Sequence, residues 1–232
     1  MPSARLEEGI DPVVLEQLRQ VPIRPGRPLL VVDADEVLVV FSAHLARFAA
    51  AQGVEMRLKR YELEGTFFLT GTERALDFQE SIGLINRFFA EECGRMEAIP
   101  GAREALGRLA EIAQIVVLTN VPRQARAARV ENLAELGMGY PLVENGGGKG
   151  KALAWLAAKA GAGAGPDGVP GAFIDDSPRQ IESAAKRAPV LRRLHFVGAP
   201  LVARVIPDCA AADQRVRNWD EAERHLRAHL DR

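Results

Sequence analysis

Short runs of uninterrupted apolar residues, each followed by polar side chains, recur at Leu29–Val32 and at 115–118, 172–174 and 194–197. Because apolar and polar positions do not alternate within them, these runs predict strands buried on both faces, as in a parallel sheet covered by helices. Amphipathic helical stretches separate them, at 103–112, 123–136, 151–160, 180–187 and 220–230. The alternation predicts an α/β domain with a doubly wound parallel sheet, Rossmann-like and three layers deep. Upstream, Asp11 before Pro12 predicts an N-cap with proline at the first helical position, opening a helix to about Gln20.

Residues 41–95 break this alternation. Their apolar positions, Leu45, Phe48 and Ala49, then Ile82, Ile85, Phe88 and Phe89, predict helices, while GTFFLTG at 65–71 is ambiguous. Lying between the first and second strands, the segment reads as an insertion. The expected division is a catalytic core of 1–40 and 96–232 carrying a small, mostly helical cap of 41–95.

Composition narrows the function class. The 232 residues are 47% hydrophobic and 26% charged, enough apolar material for a sizeable core. A formal net charge of -1 gives no reason to expect a nucleic-acid or anionic-membrane partner. Cys93 and Cys209 make neither a disulfide framework nor a metal motif, so a reducing compartment is expected. No apolar run approaches the ~20 residues needed to span a bilayer, and the amino terminus has no apolar leader core. The expectation is a cytoplasmic protein; the oligomeric state is unknown from the sequence.

Several patterns lead nowhere. The GxGxxG string at 163–168 follows a helix and precedes a strand, the reverse of a dinucleotide fingerprint, and reads as a flexible loop. GGGKGK at 146–151 fails as a phosphate loop, because Val143 and Gly150 stand where Gly and Ser/Thr are needed. His225 and His229 share a helix face without the glutamate of a zinc site. Arg123, Arg126 and Arg129, three residues apart, read as a solvated helix face, and His44 as a packing or surface residue.

Chemistry gathers at the strand ends. Asp33 and Asp35 follow the first strand, and the pleat points both the same way from the carboxyl edge, where open α/β sheets bind ligands. Thr119 and Asn120 end the second strand with groups able to hold an oxyanion, and Asp175 and Asp176 end the third. Adjacent acids repel unless a cation relieves them. Lys149 sits in a glycine-rich loop before a helix whose apolar stripe is Leu153, Leu156, Ala157 and Ala160. Carried back by four residues, that stripe reaches position 149, so Lys149 rather than Lys151 should face the sheet edge.

Acid pair, hydroxyl, lysine and second acid pair, in that order, resemble the four signature motifs of haloacid-dehalogenase-like hydrolases. IPGAREALGRLAEIAQIVVLTNVP is similar to the segment entering the second motif, KGKAL to the lysine motif, and IDDSPRQI to the paired-acid form of the fourth. The resemblance implies a phosphatase acting on a small phosphorylated substrate. Asp33 would be the nucleophile, forming an aspartyl-phosphate, and Asp35 the general acid and base. Thr119, Asn120 and Lys149 would bind phosphate. Mg²⁺ would be held by Asp33, the Asp35 carbonyl and Asp176, with Asp175 acting through water. Glu36 departs from the family, which usually has glycine there. Arg57, Lys59, Tyr61, Arg74 and Arg87 are the candidate substrate readers within the cap. A phosphomutase on the same fold and a non-catalytic phospho-ligand-binding module are the alternatives.

Overall fold

The computed structural model describes residues 4–60, 64–163 and 168–231. Tyr61 and the centre of the 163–168 stretch lie outside the described residues. The chain begins with α1 (Ala4–Glu7) and α2 (Pro12–Gln20), then β1 (Leu29–Val32). The Asp11 carboxylate accepts from the Val13 and Val14 N–H groups to cap α2. The insertion follows as α3 (Ser42–Ala51), β2 (Val54–Met56), β3 (Phe67–Leu69) and α4 (Phe78–Glu92). Next come α5 (Ala102–Leu109), β4 (Gln114–Thr119), α6 (Arg126–Glu135), β5 (Leu142–Glu144), α7 (Gly150–Ala160) and β6 (Gly171–Asp175). The chain closes with α8 (Pro178–Arg187), β7 (Arg192–Phe196), β8 (Gln214–Val216) and α9 (Trp219–Leu230).

Six parallel strands form one sheet in the order β5-β4-β1-β6-β7-β8. After β1 the chain runs outward through β4 and β5, then returns to the other side of β1 for β6, β7 and β8. This reversal puts the topological switch at the carboxyl end of β1, where such sheets bind ligands. Burial on both faces accounts for the apolar runs. Leu30 and Val32 pack with Leu106, Leu133 and Leu226 of α5, α6 and α9, while Leu29 and Val31 pack with Leu18, Leu156 and Ile181 of α2, α7 and α8.

Two of the six strands, β5 and β8, are not foreseen in the sequence. Both lie at sheet edges and are three residues long, with a polar residue in each. Neither makes an apolar run. The ambiguous GTFFLTG supplies β3, which pairs antiparallel with β2 through Val54↔Leu69 and Met56↔Phe67. Between α3 and α4, the rings of Phe41, Phe48, Phe88 and Phe89 form a cluster with centroids 5.4–5.7 Å apart. His44 packs edge-on against Phe88 and pairs with Glu92 at 3.0 Å. Among the described residues, no helix is long and apolar enough to cross a membrane.

The approach of α7 to α8 fixes where the glycine-rich loop delivers Lys149. A Cβ on Gly150 would lie 2.2 Å from the Ser183 carbonyl oxygen, a clash with backbone that no rotamer relieves. Gly107, inside α5, has nothing within 4 Å of that position. Gly150→Ala should therefore destabilise the fold by about 1–3 kcal/mol through overpacking. Gly107→Ala should stabilise it by about 0.5–1 kcal/mol through lost unfolded-state freedom. Urea unfolding of both variants checks this, and shifts of the same sign would contradict the close packing of α7 on α8.

Candidate active site

Asp33 follows directly on β1, and its N–H donates to the Ile174 carbonyl at 3.0 Å, carrying the β1–β6 ladder one residue further. The chain then turns tightly: the Ala34 carbonyl accepts from the N–H groups of Leu38 at 2.8 Å and Val39 at 3.0 Å. The turn needs left-handed backbone at Glu36, with φ +62°, the only non-glycine positive φ among the described residues. That conformation costs a side-chain-bearing residue about 1–2 kcal/mol, and it explains why the resembling motif carries glycine there. From the far end of the chain, buried Trp219 donates its indole N–H to the Val37 carbonyl at 2.8 Å. The chain enters and leaves the insertion side by side, Val40 N–H to Glu97 carbonyl at 2.9 Å and Ile99 N–H to Leu38 carbonyl at 2.8 Å.

Three buried carboxylates meet beyond this turn. Asp33, Asp175 and Asp176 each bring an oxygen within 4.8 Å of the others. Lys149, only 1% exposed, donates to Asp33 Oδ1 at 2.5 Å and to Asp175 Oδ2 at 2.7 Å. Burial alone would lower the Lys149 pKa, but the Asp175 and Asp33 carboxylates outweigh it and hold the pKa above its ordinary value. Burial pushes the Asp175 carboxyl up, against the pull of Lys149. Asp175 Oδ1 also accepts the Ser177 N–H at 2.8 Å, so both its oxygens are engaged. An oxygen-only donor set of high charge suits a hard cation, and the residues present fit one. Lys151 points elsewhere, donating to the Gly9 carbonyl at 3.0 Å.

Thr119 ends β4 fully buried, and its Oγ1 has no hydrogen-bond partner among the described residues. A buried hydroxyl left unpaired costs free energy, which a ligand oxygen would recover. Asn120 differs: its side chain donates to the Gly147 carbonyl at 2.8 Å and accepts from Asn145 at 3.0 Å. It holds the glycine-rich loop. Gln180 holds the same loop from α8, accepting the Lys149 N–H at 2.8 Å and donating to the Gly147 carbonyl at 3.0 Å.

Arg129 corrects the solvated-face reading of its helix. Its side chain is fully buried, and Nη2 donates to Asp35 Oδ1 at 2.5 Å. Three-residue spacing alone could not separate it from Arg123 and Arg126, which reach Glu144 and Gln17 near the surface. Burial raises the Asp35 pKa, while Arg129 opposes that rise. His195, fully buried on β7, shares a hydrogen bond of 2.8 Å between Nε2 and the Asp176 carbonyl. A histidine among the apolar residues of LHFV is the sequence signal for it. Within the insertion, Arg57 is tied to Glu55 and Glu73 and Arg74 to Glu80, all at the surface.

The Arg129–Asp35 pair is unequal in burial, so its two halves should not be equivalent. Asp35→Ala strands a guanidinium with no route to water, which should cost about 3–5 kcal/mol. Arg129→Met leaves a carboxylate that is 22% exposed and can hydrate, with an expected cost of about 1–3 kcal/mol. Urea unfolding of both variants measures the ranking, and a reversed order would mean that Arg129 does not depend on Asp35 for its charge balance.

No protein-family model matches the sequence, and no curated protein does. Solved structures do match. A HAD family hydrolase from Deinococcus radiodurans R1, with bound phosphate and sodium, superposes with TM-score 0.58 at 19% identity, over 88% of this chain and 97% of that one. The magnesium-bound form of YfnB from Bacillus subtilis, described as a candidate HAD hydrolase, gives 0.57 at 12% identity, over 88% and 99%. A candidate β-phosphoglucomutase from Thermotoga maritima gives 0.53 at 19% identity, over 87% and 99%. Across nearly all of its length, this chain has the fold of the haloacid-dehalogenase-like hydrolases.

Proposed function

We propose that this protein is a Mg²⁺-dependent phosphohydrolase that acts on a small phosphorylated metabolite through an aspartyl-phosphate on Asp33. The observation that carries the reading is the convergence of Asp33, Asp175, Asp176 and Lys149 at the carboxyl end of the central strand, beside the unpaired Thr119 hydroxyl. Phosphate and magnesium in neighbours of the same fold add support.

On this reading Asp33 and Asp176 would hold the metal, with the Asp35 carbonyl, and Asp175 through water. When bound, Mg²⁺ neutralises charge on the phosphoryl oxygens. Lys149 takes Oδ1 of Asp33, which fixes the carboxylate for in-line attack by its other oxygen. As the Asp33 oxygen bonds to phosphorus, the bond to the ester oxygen breaks and Asp35 passes that oxygen a proton. Asp35 then takes a proton from the water that hydrolyses the aspartyl-phosphate, which releases phosphate and restores Asp33. Burial favours the protonated form of Asp35 needed for the first step, and Arg129 holds one of its oxygens in place. Thr119 Oγ1, the Lys149 ammonium and the Asn120 backbone N–H receive the phosphoryl oxygens. The 41–95 segment acts as a cap that keeps bulk water from the site.

Phosphate release from a panel of phosphomonoesters tests the reading. EDTA-treated protein should release none and Mg²⁺ should restore release, while Asp33→Asn should fall to background with its fold intact. Lys149→Ala should lose on the order of 10²-fold more kcat/KM than Lys151→Ala. A folded Asp33→Asn variant that keeps its turnover, or equal losses at the two lysines, would overturn the assignment. A phosphoryl group moved within the substrate rather than freed would identify a mutase.

A further inference from the structure

A cavity of about 240 Å³ lies between the insertion and the sheet edge. From the insertion it is lined by Phe41, Leu45, Met56, Leu58, Phe67 and Ile85 with the hydroxyl residues Ser42 and Thr66, and from the core by Glu36, Asp176 and Val202. Its size is below that of drug-sized sites. Of the candidate substrate readers, Arg57, Lys59, Arg74 and Arg87 do not line it. Asp176 marks the end nearest the acidic cluster.

Glu36 is out of place in such a wall. The residue is 4% exposed and stands in backbone conformation that favours glycine. Its Oε1 accepts the Ser42 N–H, and the Ser42 hydroxyl and Phe41 N–H also favour the charged carboxylate, while Oε2 is buried and meets no partner within hydrogen-bond geometry among the described residues. A buried carboxylate oxygen without a donor is unfavourable, and strained backbone that persists points toward a role. Glu36 also borders a second cavity, behind Val40 and Ile99, but that one does not reach Asp176.

We propose that Glu36 is the specificity determinant of this site: its Oε2 accepts a hydrogen bond from a hydroxyl or ammonium group on an otherwise apolar, short leaving group seated in the cavity. This inference rests on the phosphohydrolase reading above. The apolar wall takes the carbon chain, and Glu36 Oε2 selects chains that end in a donor. A ligand lacking the donor leaves Oε2 unpaired, so discrimination on the order of 10- to 100-fold is expected.

Four isosteric probes read this directly: 3-hydroxypropyl, 3-aminopropyl, n-butyl and 2-methoxyethyl phosphate, compared by kcat/KM in the full chain. The wild type should prefer the hydroxyl or the amine over n-butyl, and which of the two leads identifies the donor. In Glu36→Gly, a residue the backbone conformation favours, that ratio should collapse toward one. In Glu36→Gln the Ser42 N–H keeps the amide oxygen, and the NH₂ replaces Oε2 as a donor. The ratio of 2-methoxyethyl to n-butyl phosphate should then rise. An active wild type with no preference, or a preference unchanged in both variants, would overturn the role of Glu36 and leave the phosphohydrolase reading standing. A wild type that releases phosphate from none of the probes or of the wider panel would overturn both.

Discussion

Three carboxylates buried at the end of one sheet repel one another, and the structure depends on what offsets that repulsion. Lys149 does so by bridging Asp33 and Asp175 at 2.5 and 2.7 Å. Its ammonium must arrive from outside the sheet, so the ion pairing places demands on distant residues. Gly150 lets α7 press against the α8 backbone, Gln180 takes the Lys149 N–H, and Asn120 and Asn145 fasten the loop before it. Each contact sets the reach of one side chain. Without them the lysine stem would have to extend or tilt, and a buried ion pair tolerates little loss of geometry before desolvation outweighs attraction.

The second acid is held by a different device. Asp35 leaves β1 on a turn closed by the Ala34 carbonyl, latched by Trp219 from α9 and countered by Arg129 from α6. The turn is therefore fixed by residues about 90 and 180 positions away in sequence. The proposed separation of roles follows from this arrangement. Asp33 shares a buried cation with Asp175, whereas Asp35 keeps a partner of its own and partial access to water. Two carboxylates two residues apart thereby meet different electrostatic surroundings, as the proposed division between a nucleophile and a proton carrier requires.

What could be read in the sequence follows from where each residue sits. β1, β4 and β6 are central and buried on both faces, so the apolar runs ending in Asp33, Thr119 and Asp175 are visible without alignment. β5 and β8 are edge strands with polar residues and give no such signal. Lys149 is legible because the helix after it has a clear apolar stripe, and the structure puts it between Asp33 and Asp175 while Lys151 meets Gly9. Arg129 and His195 are not legible. A buried polar residue on a helix or strand looks like a surface one until its partner is known, and those partners, Asp35 and the Asp176 carbonyl, lie on other elements. Glu36 lies between these cases: its break with the resembling motif is visible, but its backbone strain and its unpaired oxygen are not.

On the phosphohydrolase reading, the site separates two recognition problems that have different physics. A phosphoryl group is the same in every monoester, and it is met by charge fixed on the strands and on α7, where packing permits little movement. A leaving group differs from one substrate to the next, and the wall facing it comes mostly from the insertion, which joins the core through two chain crossings at 38–40 and 97–99. Glu36 is the exception, because it belongs to the core turn that carries Asp35 and yet borders the insertion's cavity. A substitution at this position acts on the leaving-group wall and on the backbone of the acid turn together. On that reading, one left-handed backbone conformation would couple recognition and proton transfer at that residue.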